Sequence, residues 1–181
     1  MDHSISLRLA RGEDDLEFLS ALARHPAVEP FLSPGAWERN ALSALLARDP
    51  QPHDGPTGPY VIERSGERLG GLALAVTNRR SGICELARVM IRPDARRAQA
   101  GLEAVTLAAH TALLGHDLHR LQAEVYGDNP AGQHLFERAG FTREGIRRRA
   151  YWRRDQWLDG ILYGLLAEEL QRPCSSTASP P

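Results

Sequence analysis

The chain has 181 residues, 42% hydrophobic and 25% charged, with a formal net charge of −1. That length suits one domain with a sizeable core, and the near-neutral balance gives no global field for nucleic acid or an anionic membrane. No apolar run approaches the roughly 20 residues that span a bilayer, no basic-then-apolar leader opens the chain, and two cysteines (Cys84 and Cys174) are too few for a disulfide framework. These features predict a cytoplasmic protein with reduced thiols. All 22 basic residues are arginine. Codon usage in a GC-rich genome accounts for that, and local runs at Arg92, Arg96, Arg97 and from Arg143 to Arg154 read as solvated faces, part of which is suited to phosphate.

In chain order, Ser4 to Ala10 alternates apolar and polar (Ile5, Leu7, Leu9) and predicts a first strand. Asp14 to Arg24 predicts a helix with Leu16, Leu19, Leu22 and Ala23 inward. Pro26, Pro30 and Pro34 break the chain around Phe31, and Trp37 to Arg48 predicts a second amphipathic helix. Asp49 to Pro59, with four prolines and two glycines, reads as an exposed loop. Tyr60–Glu63 and Arg68–Thr77 read as strands joined by the turn Ser65-Gly66-Glu67. After a turn at Asn78 to Gly82, Ile83 to Arg92 is a strongly apolar strand that Pro93 ends. A helix over Ala100 to Leu114, a strand over Arg120 to Tyr126, a short helix, and strands at Phe141–Arg153 and Leu158–Leu166 follow. Residues 1–170 read as one domain and 171–181 as a flexible tail. The order predicts an α+β fold, a mixed, mostly antiparallel sheet of about seven strands with four helices on both faces.

The short helix lies in Asn129-Pro-Ala-Gly-Gln-His-Leu-Phe-Glu-Arg-Ala-Gly-Phe141. Asn129 is an N-cap, Pro130 suits the first helical position, and Gly140 sits where helices end in a left-handed residue. This run resembles the "N…A…LYEKxGF" signature of the GNAT N-acyltransferase superfamily, and the resemblance covers about Ile5 to Glu169. The ending, with Asp159, Tyr163 and Glu168, is similar to the RimJ/RimL-type branch. The resemblance implies a splayed central strand pair and acetyl-CoA as cofactor. It implies acetyl transfer to a primary amine, either a small molecule or a protein N-terminus, by direct attack in a ternary complex.

The strand-to-helix connection from Ile91 carries a second signal. A tight loop opening a helix presents backbone N–H groups and the positive helix end to phosphate. The superfamily's Arg/Gln-x-x-Gly-x-Gly/Ala pattern reads here as Arg96-Arg97-Ala98-Gln99-Ala100-Gly101, with Gln99 in place of the first glycine. By resemblance, Arg96, Arg97, Ala98, Gln99, Ala100, Gly101 and Leu102 would hold the diphosphate. Val89, Met90 and Ile91 would bond the pantetheine amides by strand addition, and Asn129 and Phe136 would face the cofactor.

An alkyl amine has a pKa near 10, so attack on a thioester needs a proton acceptor. Glu85, a carboxylate in an apolar strand, is the candidate base. Alternation places it on one face with Ala87, Val89 and Ile91, and its spacing from Arg96 resembles that of the catalytic glutamate in the superfamily's histone acetyltransferases. The signature's tyrosine is Phe136 here, which has no proton to give, so either solvent protonates the thiolate or another group such as Tyr126 or His134 does, Tyr126 being the candidate acid. Glu29, Phe31, Trp37, Tyr151 and Trp152 are candidate walls of the acceptor site. No histidine or cysteine spacing suggests a metal. A homodimer fits the superfamily. The competing reading is a non-catalytic acyl-CoA-binding or sensor domain, motivated by Gln99 and Phe136.

Overall fold

The computed structural model describes residues 4–35, 37–46 and 55–171. Strand β1 (Ile5–Leu9) leads into helix α1 (Gly12–Ala23), a short 3-10 turn at Glu29–Phe31 and helix α2 (Arg39–Leu46). Then come β2 (Gly58–Arg64), β3 (Glu67–Asn78), β4 (Ile83–Ile91), a 3-10 segment at Pro93–Ala98 and α3 (Ala100–His110). The chain closes with β5 (Arg120–Tyr126), α4 (Pro130–Arg138), β6 (Thr142–Arg153), β7 (Gln156–Leu166) and a single-turn α5 (Ala167–Gln171). Pro59, read as loop, lies buried inside β2, and Trp37 precedes α2 in a turn. The predicted helix to Leu114 stays α-helical to His110 and widens into a π-helical turn over Thr111–Gly115. The proline-rich stretch at 49–54 and the tail beyond Gln171 lie outside the described residues.

The seven strands form one sheet in the order β1-β2-β3-β4-β5-β7-β6, antiparallel except for β4 beside β5. Alternation along the strands divides the core. Tyr60, Ile62, Leu72, Leu74, Cys84, Leu86, Leu121 and Ala123 pack on the face that α3 covers, while Val61 and Met90 join Leu16, Leu19, Leu22, Trp37 and Leu42 beneath α1 and α2. Small residues make close approach possible. Ala100, Ala104, Ala108 and Ala109 are fully buried along α3, and a side chain at Gly71 would collide with Leu19 of α1.

Two backbone features shape the middle of the sheet. The β4–β5 pairing holds only for Ile83↔Arg120, Cys84↔Leu121 and Glu85↔Gln122. Beyond Glu85 the two strands part, β4 staying with β3 and β5 with β7 up to Tyr126↔Gly160. The second feature is a bulge. Between Ala73↔Ala87 and Gly71↔Met90, β4 carries an extra residue, and Arg88 takes a left-handed φ of 58° there. The bulge overturns the alternation expected from sequence: Glu85, Ala87 and Met90 share the α1/α2 face, while Val89 and Ile91 pack with the α3 core.

Candidate active site

A continuous cleft runs out from the fork. Its inner chamber, about 420 Å³, is bounded by Glu85 to Val89 of β4, Glu124 to Tyr126 of β5, Tyr151 of β6, and the segment Phe31–Ser33. Its outer chamber, about 440 Å³, lies between the start of α3 (Gln99, Gly101, Leu102), Arg96, and α4 from Pro130 to Arg138. Phe31, Leu32, Val89, Asn129, Gly132 and Leu135 border both.

The outer chamber is built around the starts of helices α3 and α4. The Asn129 side chain accepts from the Gly132 N–H at 2.9 Å, and Pro130 opens α4. Gly140 ends the helix at φ 91°, donating to the Glu137 carbonyl at 3.1 Å. Phe136 is buried and packs edge-on against Phe141 at 5.1 Å, so it seats α4 on the sheet. Opposite, Gln99 stands before α3 with φ 55° and ψ 10°, the left-handed conformation that glycine adopts without strain. No side chain caps α3, so its first-turn N–H groups have no side-chain acceptor. Ala100 is fully buried, whereas a Cβ at Gly101 would stand 3.6 Å from Leu135 across the gap. The backbone of Arg97 and Ala98 belongs to the 3-10 segment; their side chains are outside the description.

Arg96 spans the cleft, its guanidinium donating to the Ala27 carbonyl at 2.7 Å and the Ile91 carbonyl at 3.3 Å. Arg153, buried on β6, grips the same 27–33 segment from the other end. It donates to the Leu32 carbonyl at 2.6 Å and pairs with Glu29 at 3.2 Å. Its guanidinium also lies 5.6 Å from the centre of the Tyr126 ring.

The inner chamber is built from side chains. Glu85, half-buried, stands where the fork begins. Tyr126 is buried, its hydroxyl donating to Ser33 Oγ at 3.4 Å and its ring meeting Tyr151 edge-on at 4.9 Å. Glu124 went unnoticed in the sequence, though Gln122, Glu124 and Tyr126 make one polar face on a central strand. Its Oε2 accepts from Arg147 at 2.8 Å, while its Oε1 is buried with no hydrogen-bond partner. Burial, followed by the neighbouring Glu124 carboxylate, pushes the Tyr151 phenol up to about 12.

Three candidate walls stand elsewhere. Trp37 is 3% exposed inside the core beneath α1 and α2. Trp152, one residue after Tyr151 and so on the opposite sheet face, is 56% exposed and packs on Trp157 at 5.3 Å. Glu29 is held by Arg153 and borders neither chamber. Met90 points into the α1/α2 core, so of the three β4 residues expected to meet a cofactor only Val89 and Ile91 border the cleft.

The open β4 edge beyond Glu85 and the uncapped start of α3 fit the extended amide arm and the diphosphate of coenzyme A. Solved structures share this architecture. Spermidine N-acetyltransferase from Vibrio cholerae, in complex with CoA and spermine, superposes with a TM-score of 0.77 at 19% identity, over 93% of this chain and 99% of that one. A chimera of the Vibrio cholerae enzyme and hSSAT gives 0.80 at 22% identity, over 93% and 99%. A probable GNAT-family acetyltransferase from Chromobacterium violaceum gives 0.73 at 24%, over 93% and 86%. These likenesses establish the fold. The model of the acetyltransferase (GNAT) family matches residues 16–141, well over half of the sequence, and the chain belongs to that family.

Proposed function

We propose that this chain is an N-acetyltransferase that passes the acetyl group of acetyl-CoA to a primary amine of a small cationic molecule, by direct attack with both substrates bound. One observation carries the reading: a carboxylate, Glu85, sits at the root of a fork that opens onto an uncapped helix start on one side and an acidic, aromatic chamber on the other. Acetyl-CoA, when bound, supplies an acyl thioester. The chain's residues do the rest. Main-chain groups of β4 around Val89 and Ile91 hold the amide arm in an added-strand mode. The start of α3, with Gln99 to Leu102 and the cations Arg96 and Arg97, holds the diphosphate. Glu85 takes the proton that the acceptor ammonium must lose before attack. The Tyr126 hydroxyl, rather than the proton-less Phe136, delivers a proton to the departing thiolate.

The acceptor class draws on the spermidine N-acetyltransferase neighbours and on Glu85 and Glu124 sharing one chamber. The RimJ/RimL-like ending favours a second acceptor, a protein N-terminus. In this structure Asp159 accepts from the Arg149 N–H at 2.7 Å and the Tyr163 hydroxyl bonds Glu137 at 3.1 Å, so two residues of that ending serve the fold. Thiol release from acetyl-CoA with spermidine, spermine, simple monoamines and short peptides tests the reading. Turnover on small cationic amines that collapses in Glu85→Gln supports it. CoA-induced thermal stabilisation with no turnover on any amine would replace it with the sensor reading, and turnover on peptides alone would move the acceptor to the protein N-terminus. Gel filtration of the same samples tests the expected homodimer.

A further inference from the structure

Glu124 has no role in the proton transfer assigned to Glu85, yet it is placed with unusual care. It faces the inner chamber from β5, the other arm of the fork. Parallel register aligns Glu85 with Gln122, so Gln122 and Glu124 share Glu85's sheet face, and Glu124 lies two residues further out, roughly 7 Å along the sheet. Its two oxygens are treated differently. Oε2 is held by the half-exposed Arg147 at 2.8 Å. Oε1 is buried and meets no donor in hydrogen-bonding geometry, although the Tyr151 hydroxyl stands close enough to interact with the carboxylate. Room for it exists because residue 160, paired with Arg147 on β6 and Tyr126 on β5, is glycine; a Cβ there would collide with Oε1 and stand 3.0 Å from the Tyr151 ring. A buried carboxylate oxygen without a donor is costly, and such groups call for a partner. The rings of Tyr126 and Tyr151 meet edge-on beside it, and each already has a guanidinium over it, Arg153 at 5.6 Å and Arg147 at 5.9 Å, so the pull on a further cation falls to the carboxylate.

We propose that Glu124 is the residue that selects the acceptor: its free oxygen receives a second ammonium group, on the same molecule whose reacting amine stands at Glu85. The site therefore prefers a diamine or polyamine over a monoamine of equal length. Arg147, paired with Oε2, already offsets the carboxylate's single charge across a half-exposed contact and so tempers the preference. This inference rests on the acetyl-transfer reading above and adds a residue-level cause for acceptor choice.

The experiment compares kcat and KM for an α,ω-diamine and the n-alkylamine of the same chain length, in the full chain and in Glu124→Gln. The expected result is a diamine KM raised about 10- to 100-fold in the variant, kcat and the pH profile held, and monoamine kinetics little changed. Arg147→Ala, which frees the carboxylate, should lower the diamine KM. An unchanged diamine-to-monoamine ratio in both variants overturns the proposal and leaves Oε1 to a bound water. A kcat loss shared by both amines, with the acidic limb of the pH profile shifted, overturns it too and makes Glu124 a proton acceptor. If Glu124→Gln shows no cooperative melt, it has failed to fold, and Arg147→Ala alone decides. If the parent protein turns over no amine, the acetyl-transfer reading fails. Diamine binding measured by calorimetry with CoA present, and lost in Glu124→Gln, would still uphold the Glu124 site, while diamine binding equal in both proteins would sink it.

Discussion

The two halves of the cleft are made by different means. The outer chamber is made of helix starts and a loop, which bring main-chain N–H groups to its wall beside side chains such as Arg96 and Asn129. The inner chamber is made of side chains from β4, β5 and β6, brought together by strand register. A surface of backbone donors recognises a group common to every reaction of a family, whereas side chains are free to vary with the acceptor. The difference predicts that substitutions in the inner chamber change which amine reacts and how fast, while those in the outer chamber change cofactor affinity and stability.

The sharpest break in that comparison is Glu85→Gln. If this carboxylate takes the proton, kcat should fall about 10²- to 10⁴-fold with CoA affinity unchanged, as read by steady-state kinetics beside a CoA titration. A variant that also lost CoA binding would merge the two halves. Arg153→Leu comes next. It removes the hydrogen bond to Leu32 and the ion pair with Glu29 that fasten the 27–33 segment. It should cost about 1–3 kcal/mol of stability and raise the acceptor KM more than the CoA Kd, as followed by denaturant melts and kinetics.

Gln99→Gly sharpens the other half. Relief of a left-handed glutamine is worth about 1–2 kcal/mol, offset by roughly 0.5–1 kcal/mol of glycine's extra unfolded-state freedom. A net gain of about 0.5–1 kcal/mol in melting experiments, with tighter CoA binding, is expected; weaker binding would show that the glutamine side chain itself assists. The smallest effect is alkaline. The phenols of Tyr151 and Tyr163 are both pushed up to about 12, chiefly by burial, from an ordinary value of 10.0. The folded state keeps these protons after the unfolded chain has begun to lose them. The stability they contribute is complete below pH 10.0 and is lost as pH rises through about 12. Phenolate absorbance should place both titrations there, and Tyr151→Phe should move only one.

What could be read in advance follows the same division. Helix α4 was legible because Asn129, Pro130 and Gly140 act on neighbouring residues. The strands were legible because Ile5 to Leu9 and Arg120 to Tyr126 alternate. The fork's faces were not. An arginine at a left-handed bulge carries no local mark, so parity counted from Glu85 failed at Arg88, and Met90 exchanged places with Val89. Trp37 and Trp152 were misplaced for related reasons: one is drawn into the core by a turn before α2, and the other is set by parity against Tyr151. Glu124 was missed because its burial depends on Gly160 and Tyr151, residues distant in the chain.

The charged contacts described around the cleft use guanidinium: Arg147 and Arg153 in ion pairs with Glu124 and Glu29, and Arg96 in hydrogen bonds to carbonyls. Guanidinium keeps its charge at any pH a protein survives, and the chain has no lysine anywhere. As alkalinity climbs towards the range where an alkylamine sheds its proton, the arginine charges of the cleft therefore stay fixed while the acceptor changes state. No lysine amine of the catalyst then competes with the acceptor for acetyl.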